Sequence, residues 1–409
     1  VMPARRRRTL LKLQTGLWAF ERLAPIESED RHETWNAAEM AEREPCLRSD
    51  DMAGAAVFTE YLTDDARLVM ANVRSAAAAG AVCLNHVEVV HLAAGRAEVR
   101  DTSSGAHHEV AARVIVNAAG PWVSAVQRLG NVTSGRPLQL TKGIHLVVRR
   151  ERLPLAHAVV MPAGDKRSVF AVPRDEVVYL GTTDTVYDAP VVEPRITNED
   201  ADYLIDAAAA AFHGERLGAS DVLSAWAGLR PLLMQPGKSP SEISRRDEID
   251  VDEATGLVSI AGGKLTTYRK MAERVVDIVC DRLGRPHGTC ETADRPLPTG
   301  EEPMASPDEL RRHLPTLTDD AAARLVRLYG TEAVDIAVHR FTHSSYVREL
   351  ERRLTGDEPP PIRMVADDDL YWVGQGQIVG GNQPLEDERV SKLTDAGMAA
   401  RYVETNHPA

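Results

Sequence analysis

Cysteine is scarce in this chain: four in 409 residues, at Cys46, Cys83, Cys280 and Cys290. No two of them form a C-x-x-C pair, which argues against zinc and dithiol chemistry. Scattered in this way, they are expected as reduced thiols of a cytoplasmic protein. Long apolar runs are also missing, and none approaches the ~20 residues that a membrane-spanning helix needs. The opening stretch VMPARRRRTLLKLQ carries charge but no continuous apolar segment or small-residue cleavage site, so no secretory signal is expected. Positive charge is in deficit: 48 Lys and Arg against 61 Asp and Glu, a formal net charge of -13. A field of that sign disfavours nucleic acid as a partner. No internal repeat is visible. What is present, 43% hydrophobic residues over 409 positions, suffices for a sizeable core and two or three domains.

Residues 9–23, TLLKLQTGLWAFERL, place apolar side chains at Leu10, Leu13, Leu17 and Phe20. That is the spacing of an amphipathic helix. It is expected to pack on the core with a solvated basic end at Arg5 to Arg8; contact with an anionic membrane surface is its other use. A second helix is expected over 64–79, stopped by Gly80. Short β-rich runs then suggest an antiparallel meander leading into a buried strand. From 138 to 226 the segments LQLTKGIHLVV, HAVVMP, SVFAVPR and VVYLGTTDT suggest an antiparallel sheet, interrupted by a helix over 198–212. A Pro-, Thr- and Gly-rich linker follows over 285–305, then helices over 306–354. The tail, 355–409, lacks periodicity and is expected as loops or partial disorder. Its VGQGQIVGGNQP pattern reads as a loop.

The stretch AGGKLTTYRKMAERVVDIV, from Ala261, is the most informative. GLVSIAGG before and within it reads as a buried strand ending in a glycine turn. The apolar positions Tyr268, Met271, Ala272, Val275, Val276 and Val279 then form a one-sided helical stripe. A strand-to-helix turn of this kind presents N–H groups and the positive end of the helix dipole. Glycine lets a ligand approach the backbone, and Lys264 adds a full positive charge. Phosphate is one candidate ligand; the carbonyl edge of a flavin, negative when reduced, is another. A plain reading, in which the lysine and threonines only cap the helix, weighs about equally on this stretch alone.

Two further stretches matter. ARVIVNAAGPW ends an apolar strand in Ala118, Ala119 and Gly120, with Pro121 in the first turn of the next helix. Small residues at a strand's carboxyl end are where open α/β sheets admit nucleotides. WAGLRPLL sets Arg230 between an apolar strand end and Pro231, either as a structural ion pair or as a bidentate clamp for carboxylate or phosphate. Arg245 and Arg246, in EISRRDEIDV, stand beside acidic residues, where surface pairing is the default. His107 and His108 are adjacent, face opposite sides of any strand, and suit no single metal ion. No metal site is expected.

Together these stretches resemble the FAD-dependent glycerol-3-phosphate dehydrogenase family, within the amino-acid-oxidase-like flavoproteins. The matching segments are TDDARLVMANV, VIVNAAGPWV, TKGIHLVV, VYLGTTDTVYD, WAGLRPLL, ISRRDE and SIAGGKLTTYRKMAE, in that order over about 54–272. The resemblance implies an α/β (α+β) fold. Residues 1–137 would be a partial Rossmann-like FAD domain with its N-terminal helix, and 138–255 an antiparallel-sheet substrate domain. Residues 256–284 would return to the FAD domain, and 306–354 would form a C-terminal helical cap. It implies FAD as cofactor, approached by Gly262, Gly263, Lys264, Leu265 and Thr266, with Ala118, Gly120 and Val89 near its ribose-adenine half. It implies that Arg230, Arg245 and Lys264 act on glycerol 3-phosphate. Hydride would pass from its C2 to the flavin, giving dihydroxyacetone phosphate, with quinone or another acceptor taking the electrons. Peripheral contact with the inner face of the membrane and a homo-oligomer are further expectations.

The sequence departs from the family pattern at both ends. The G-x-G-x-x-G unit and an HGGLRYLE-like segment are absent, and THSSYVRELERRLTGDEPPP stands where the cap would continue. Three expectations follow: a dehydrogenase read from a truncated chain, a non-catalytic homologue that binds a phosphorylated small molecule or a partner chain, and a split enzyme completed by another polypeptide.

Overall fold

A computed structural model describes residues 1–337, apart from 25, 134, 136, 166, 235–246, 299, 301–304 and 316. The chain opens with β1 (Met2–Ala4), α1 (Arg7–Leu23), β2 (Glu33–Trp35), α2 (Ala37–Arg43) and β3 (Gly54–Val57). These strands pair antiparallel in the order β1-β3-β2. Next come α3 (Asp65–Ala78) and the meander β4 (Val87–Ala93), β5 (Arg96–Asp101) and β6 (His107–Ala111). The short strand β7 (Val116–Asn117) leads into α4 (Val123–Leu129).

A six-stranded antiparallel sheet follows, from β8 (Leu138–Arg149), β9 (Val159–Pro162), β10 (Ser168–Arg174), β11 (Val177–Gly181), β12 (Thr185–Tyr187) and β13 (Val222–Leu233). Helix α5 (Asn198–Ala211) lies between β12 and β13 in sequence. Strand β8 is the spine: β11 and then β12 pair along one edge, and β13 pairs along the other from Leu138 to Val148. Its β-branched and leucine-rich alternation gives two distinct faces. Ile144, Leu146 and Val148 bury completely against a core that also holds Leu204 and Ile205 of α5. Trp35 of β2, Met40 of α2, Ala55 of β3 and Leu47, from the loop after α2, join that same core.

A further three-stranded sheet, in the order β14-β15-β7, holds β14 (Glu248–Val251) and β15 (Val258–Ala261), with β15 parallel to β7. Helix α6 (Tyr268–Leu283) follows and ends at Gly284, which is left-handed at φ 62, the C-terminal stop expected for glycine. Residues 285–298 contain no helix or strand. Helices α7 (Pro307–His313), α8 (Asp319–Tyr329) and α9 (Ala333–Ile336) form a separate apolar cluster around Leu310, Leu314 and Leu325. This cluster docks on α3, where Arg67 donates to the Tyr329 hydroxyl at 2.9 Å. The rest of the expected cap and the whole tail lie outside the described residues.

Two expectations change. The buried strand at VIVN is only two residues long, and Val116 keeps 40% of its surface exposed. Among the described residues it has a strand partner on one side only. Helix α1 forms where expected but has no buried residue. The strands beneath it are three or four residues long, too short to cover it. Leu10, Leu13 and Leu17 are half-covered, while Leu11, Trp18, Phe20 and Leu23 face outward. No described helix is long and apolar enough to cross a membrane.

Candidate functional site

The parallel pair β7 and β15 brings two strand-to-helix turns to the same end of one sheet. The first turn runs through Ala118 and Gly120 to Pro121 and α4, and Gly120 has φ 55. The second runs through Gly262 and Gly263, at φ 76 and 89, into Lys264 and the short turn Leu265–Thr267 before α6. A side chain at Gly263 would be strained by its dihedral and would also crowd the flexible end of the Met271 side chain, 2.5 Å from its sulfur, so the left-handed backbone calls for glycine here. No side chain caps either helix start after β15. The Thr267 hydroxyl instead donates to the Lys264 carbonyl at 2.9 Å. The capping reading of the lysine and threonines therefore does not describe this turn. Lys264, Thr266 and Thr267 are exposed.

Buried Asn117 fixes the first turn. Its amide nitrogen donates to the Val123 carbonyl at 3.0 Å, and its oxygen accepts from the Ala119 N–H at 3.2 Å. The two sheets meet here. Strand β13 touches both β15 and the 120–122 turn. Val123, Leu233, Ser259 and Ala261 line one small cavity of about 20 Å³ at the junction.

Arg230 projects from β13 near that junction. Register places it opposite Thr141 of β8, on the face away from α5. His145, Trp226, Tyr179 and Gly143 share that face. The His145 ring stacks on Trp226 with centroids 4.9 Å apart, and Tyr179 meets Trp226 edge-on at 5.1 Å. Glycine makes both close approaches possible: a Cβ at Gly181 would lie 2.1 Å from the His145 ring, and one at Gly143 2.3 Å from the Arg230 guanidinium. Burial, and then the Arg230 charge, push the His145 pKa down to about 4. The imidazole is therefore neutral at neutral pH and adds no charge beside Arg230.

The segment 182–184 interrupts the edge between β11 and β12, and side chains replace the missing ladder. The Thr183 hydroxyl accepts from the Ile144 N–H at 3.1 Å and donates to the Lys142 carbonyl at 3.2 Å. On the opposite face Lys142, buried, pairs with buried Asp200 at 2.5 Å. Asp200 also closes the capping box of α5 with Thr197. One polar atom on the Arg230 side is left over: the fully buried Thr141 hydroxyl has no hydrogen-bond partner among the described residues.

The structure thus gathers Ala118, Gly120 and Gly262 to Thr266 at one sheet end, with the Arg230 strand against it. Val89 sits elsewhere, packed among Leu92, Val132 and Leu257 at the other end of β15. Arg245 lies outside the described residues. Thr141, His145, Thr182 and Asp184 were not singled out from the sequence, although TKGIHLVV and LGTTDT contain them. Their signal was a glycine beside a polar residue inside a β-rich run. Among the described residues no group of three or more His, Cys, Asp or Glu is placed to hold a metal ion.

Comparison with known proteins gives these features a context. The family model described as FAD dependent oxidoreductase matches residues 4–269. The aerobic glycerol-3-phosphate dehydrogenase of Bacillus subtilis (strain 168) is 41% identical over 294 residues, covering 70% of this chain and 53% of that protein. The Staphylococcus haemolyticus protein of the same name is 39% identical over 297 residues, again 70% and 53%. The chain spans about half the length of these curated relatives. Among solved structures, the glycerol-3-phosphate dehydrogenase from Bacillus halodurans complexed with FAD aligns at TM-score 0.69 and 37% identity. It covers 77% of this chain and 64% of that one. The FAD-bound L-alpha-glycerophosphate oxidase from Mycoplasma pneumoniae, at 17% identity and TM-score 0.53, shares the fold.

Proposed function

The chain belongs to the FAD dependent oxidoreductase family, and from that premise we propose that it serves the flavin-dependent oxidation of sn-glycerol 3-phosphate to dihydroxyacetone phosphate. The observation that carries this reading is the meeting of two parts. The paired glycine turns of β7 and β15 stand at one sheet end, and the arginine-bearing face of β8 and β13 is packed against it.

The residues fit both groups. Uncapped helix starts with left-handed glycines leave backbone N–H groups for the electron-rich edge of a flavin. The orphaned Thr141 hydroxyl offers a polar contact on the Arg230 face. FAD, when bound, supplies the two-electron acceptor that oxidation of a secondary alcohol requires. Gly262, Gly263 and Leu265 would hold it by backbone, with Lys264 adding positive charge; Ala118 and Gly120 would admit it at the neighbouring turn. Arg230 would take the substrate phosphate through charge-assisted hydrogen bonds. Arg245 is assigned the same task through the resemblance. The neutral His145 ring and Trp226 would flank the Arg230 guanidinium and limit water there, which strengthens its charge contacts.

The same reading assigns onward electron transfer to a quinone and a cytoplasmic site. It gives α1 the membrane surface, through Arg5 to Arg8 and the exposed Leu11, Trp18, Phe20 and Leu23. The decisive measurement is a visible absorption spectrum of the purified protein, before and after anaerobic addition of glycerol 3-phosphate. The expected result is a flavin band that bleaches. A colourless protein that gains no flavin on reconstitution would overturn the enzyme reading and leave the alternative, a homologue that only binds a phosphorylated small molecule or a partner chain.

A further inference from the structure

We infer that Asp184 is a positioning residue: together with the Thr182 hydroxyl, its carboxylate holds the Arg230 guanidinium in the orientation that receives the anionic end of the substrate. This rests on the reading of Arg230 as the phosphate-binding arm.

The geometry carries the inference. Arginine has a long side chain with several rotatable bonds, and an arm that must meet phosphate in one orientation needs those bonds fixed beforehand. Arg230 has three of its five N–H groups committed to one segment. Nη1 donates to the Thr183 carbonyl at 3.0 Å and to Asp184 Oδ1 at 3.2 Å; Nη2 donates to the Thr182 hydroxyl at 2.9 Å. Below the guanidinium lies Gly143, where an added Cβ would come within 2.7 Å of Cζ.

The acceptors are themselves pinned. Arg167 donates to the Asp184 carbonyl at 2.8 Å, and the Thr185 hydroxyl donates to Asp200 Oδ1 at 3.3 Å. With the Thr183 bonds to β8, the 182–185 segment is tied to β8, to α5 and to the turn before β10, so the acceptor set exists before any ligand arrives. A carboxylate beside an anion site also repels the anion. Geometry and charge therefore pull in opposite directions at Asp184, and an experiment can separate them.

The test is isothermal titration calorimetry of sn-glycerol 3-phosphate into the purified chain. Four proteins are compared: wild type, Asp184→Asn, Asp184→Ala and Gly143→Ala. Asparagine keeps an acceptor oxygen in place without the charge, so Asp184→Asn should bind within about threefold of wild type. Asp184→Ala releases the arm, and Gly143→Ala displaces it from below; each should weaken binding by about tenfold or more. Rescue by asparagine marks positioning rather than general damage, and the near-ultraviolet circular dichroism of the Trp226 stack checks that the sheet is intact. If Asp184→Ala fails that check, Thr182→Val, which removes the Nη2 acceptor and that hydroxyl's own bond to the Thr183 carbonyl, takes its place with a loss of about threefold or more expected. Binding by Asp184→Ala as tight as wild type or tighter would overturn the inference, as would an equal loss in Asp184→Asn. A wild-type chain that binds no glycerol 3-phosphate would instead sink the reading of Arg230, and the inference with it.

Discussion

Lys142 and Lys264 show how differently the two halves of the site are built. Lys142 is sealed between β8 and α5, paired with Asp200 at 2.5 Å and donating to the Arg195 carbonyl at 2.6 Å. Lys264 stands exposed where β15 gives way to its glycine turn. The six-stranded sheet around Lys142 has a deep core and answers its polar groups with side chains. The three-stranded sheet before Lys264 buries little beyond Val258, Ile260 and Val275, and offers backbone. One half answers most of its buried polar groups with side chains, and the other holds polar groups in readiness. A substrate of fixed shape and charge suits the first; a cofactor gripped by main-chain N–H groups suits the second.

Breaking one contact in each half tests that comparison, and the largest effect is expected in the first. Asp200→Ala strands the buried Lys142 ammonium and also opens the α5 capping box. Removing one partner of a buried pair costs about 3–5 kcal/mol. Val275→Ala removes two methyl groups from the small core of the turn sheet, at about 1–2 kcal/mol. Urea unfolding of both variants measures the difference. If Val275→Ala proved the more damaging, the turn sheet would be the better packed half after all.

A second test uses pH. His145 has its pKa pushed down to about 4 by burial and by Arg230, against ~6.5 in an unfolded chain. A histidine whose folded pKa is depressed favours folding most when both states are neutral. Its stabilisation is therefore complete above about pH 6.5 and is lost as pH falls toward 4, where the unfolded state takes up the proton first. The slope from this one group is at most about 1.4 kcal/mol per pH unit. The difference between wild type and His145→Gln in urea unfolding, measured from pH 7 to 4.5, isolates it. Parallel curves would show that His145 is not held neutral in the folded sheet.

How much of this was legible beforehand follows from sequence distance. Helix α6 could be read from Tyr268, Met271 and Val275 because a helical stripe is local, and the glycine stop at Gly284 is local too. The antiparallel sheet after 138 was legible from its β-branched runs. The contacts that shape the Arg230 face were not. Arg230 meets Asp184 across 46 residues and Thr182 across 48, and β8 joins them only once β11, β12 and β13 have paired. A lone Asp in GTTDT carries no mark of the arginine it will hold. The two-residue β7 shows the converse: VIVN has strong strand propensity, yet paired length is set by the neighbours a strand finds.

Thr141 gives the smallest change in stability and the sharpest contrast between holding a fold and holding a ligand. Its hydroxyl is fully buried with no partner among the described residues, and such a group costs the folded state its lost hydration. Thr141→Val replaces it with a methyl of nearly the same shape. The expected outcome is stability unchanged or raised by up to about 1 kcal/mol, together with weaker binding of glycerol 3-phosphate by calorimetry. A loss of stability would mean that the hydroxyl is already satisfied within the fold. Unchanged binding would mean that the ligand does not use it. Weaker binding in a protein no less stable would place Thr141 among the groups this sheet holds in reserve, where the more satisfied half of the site behaves like the other.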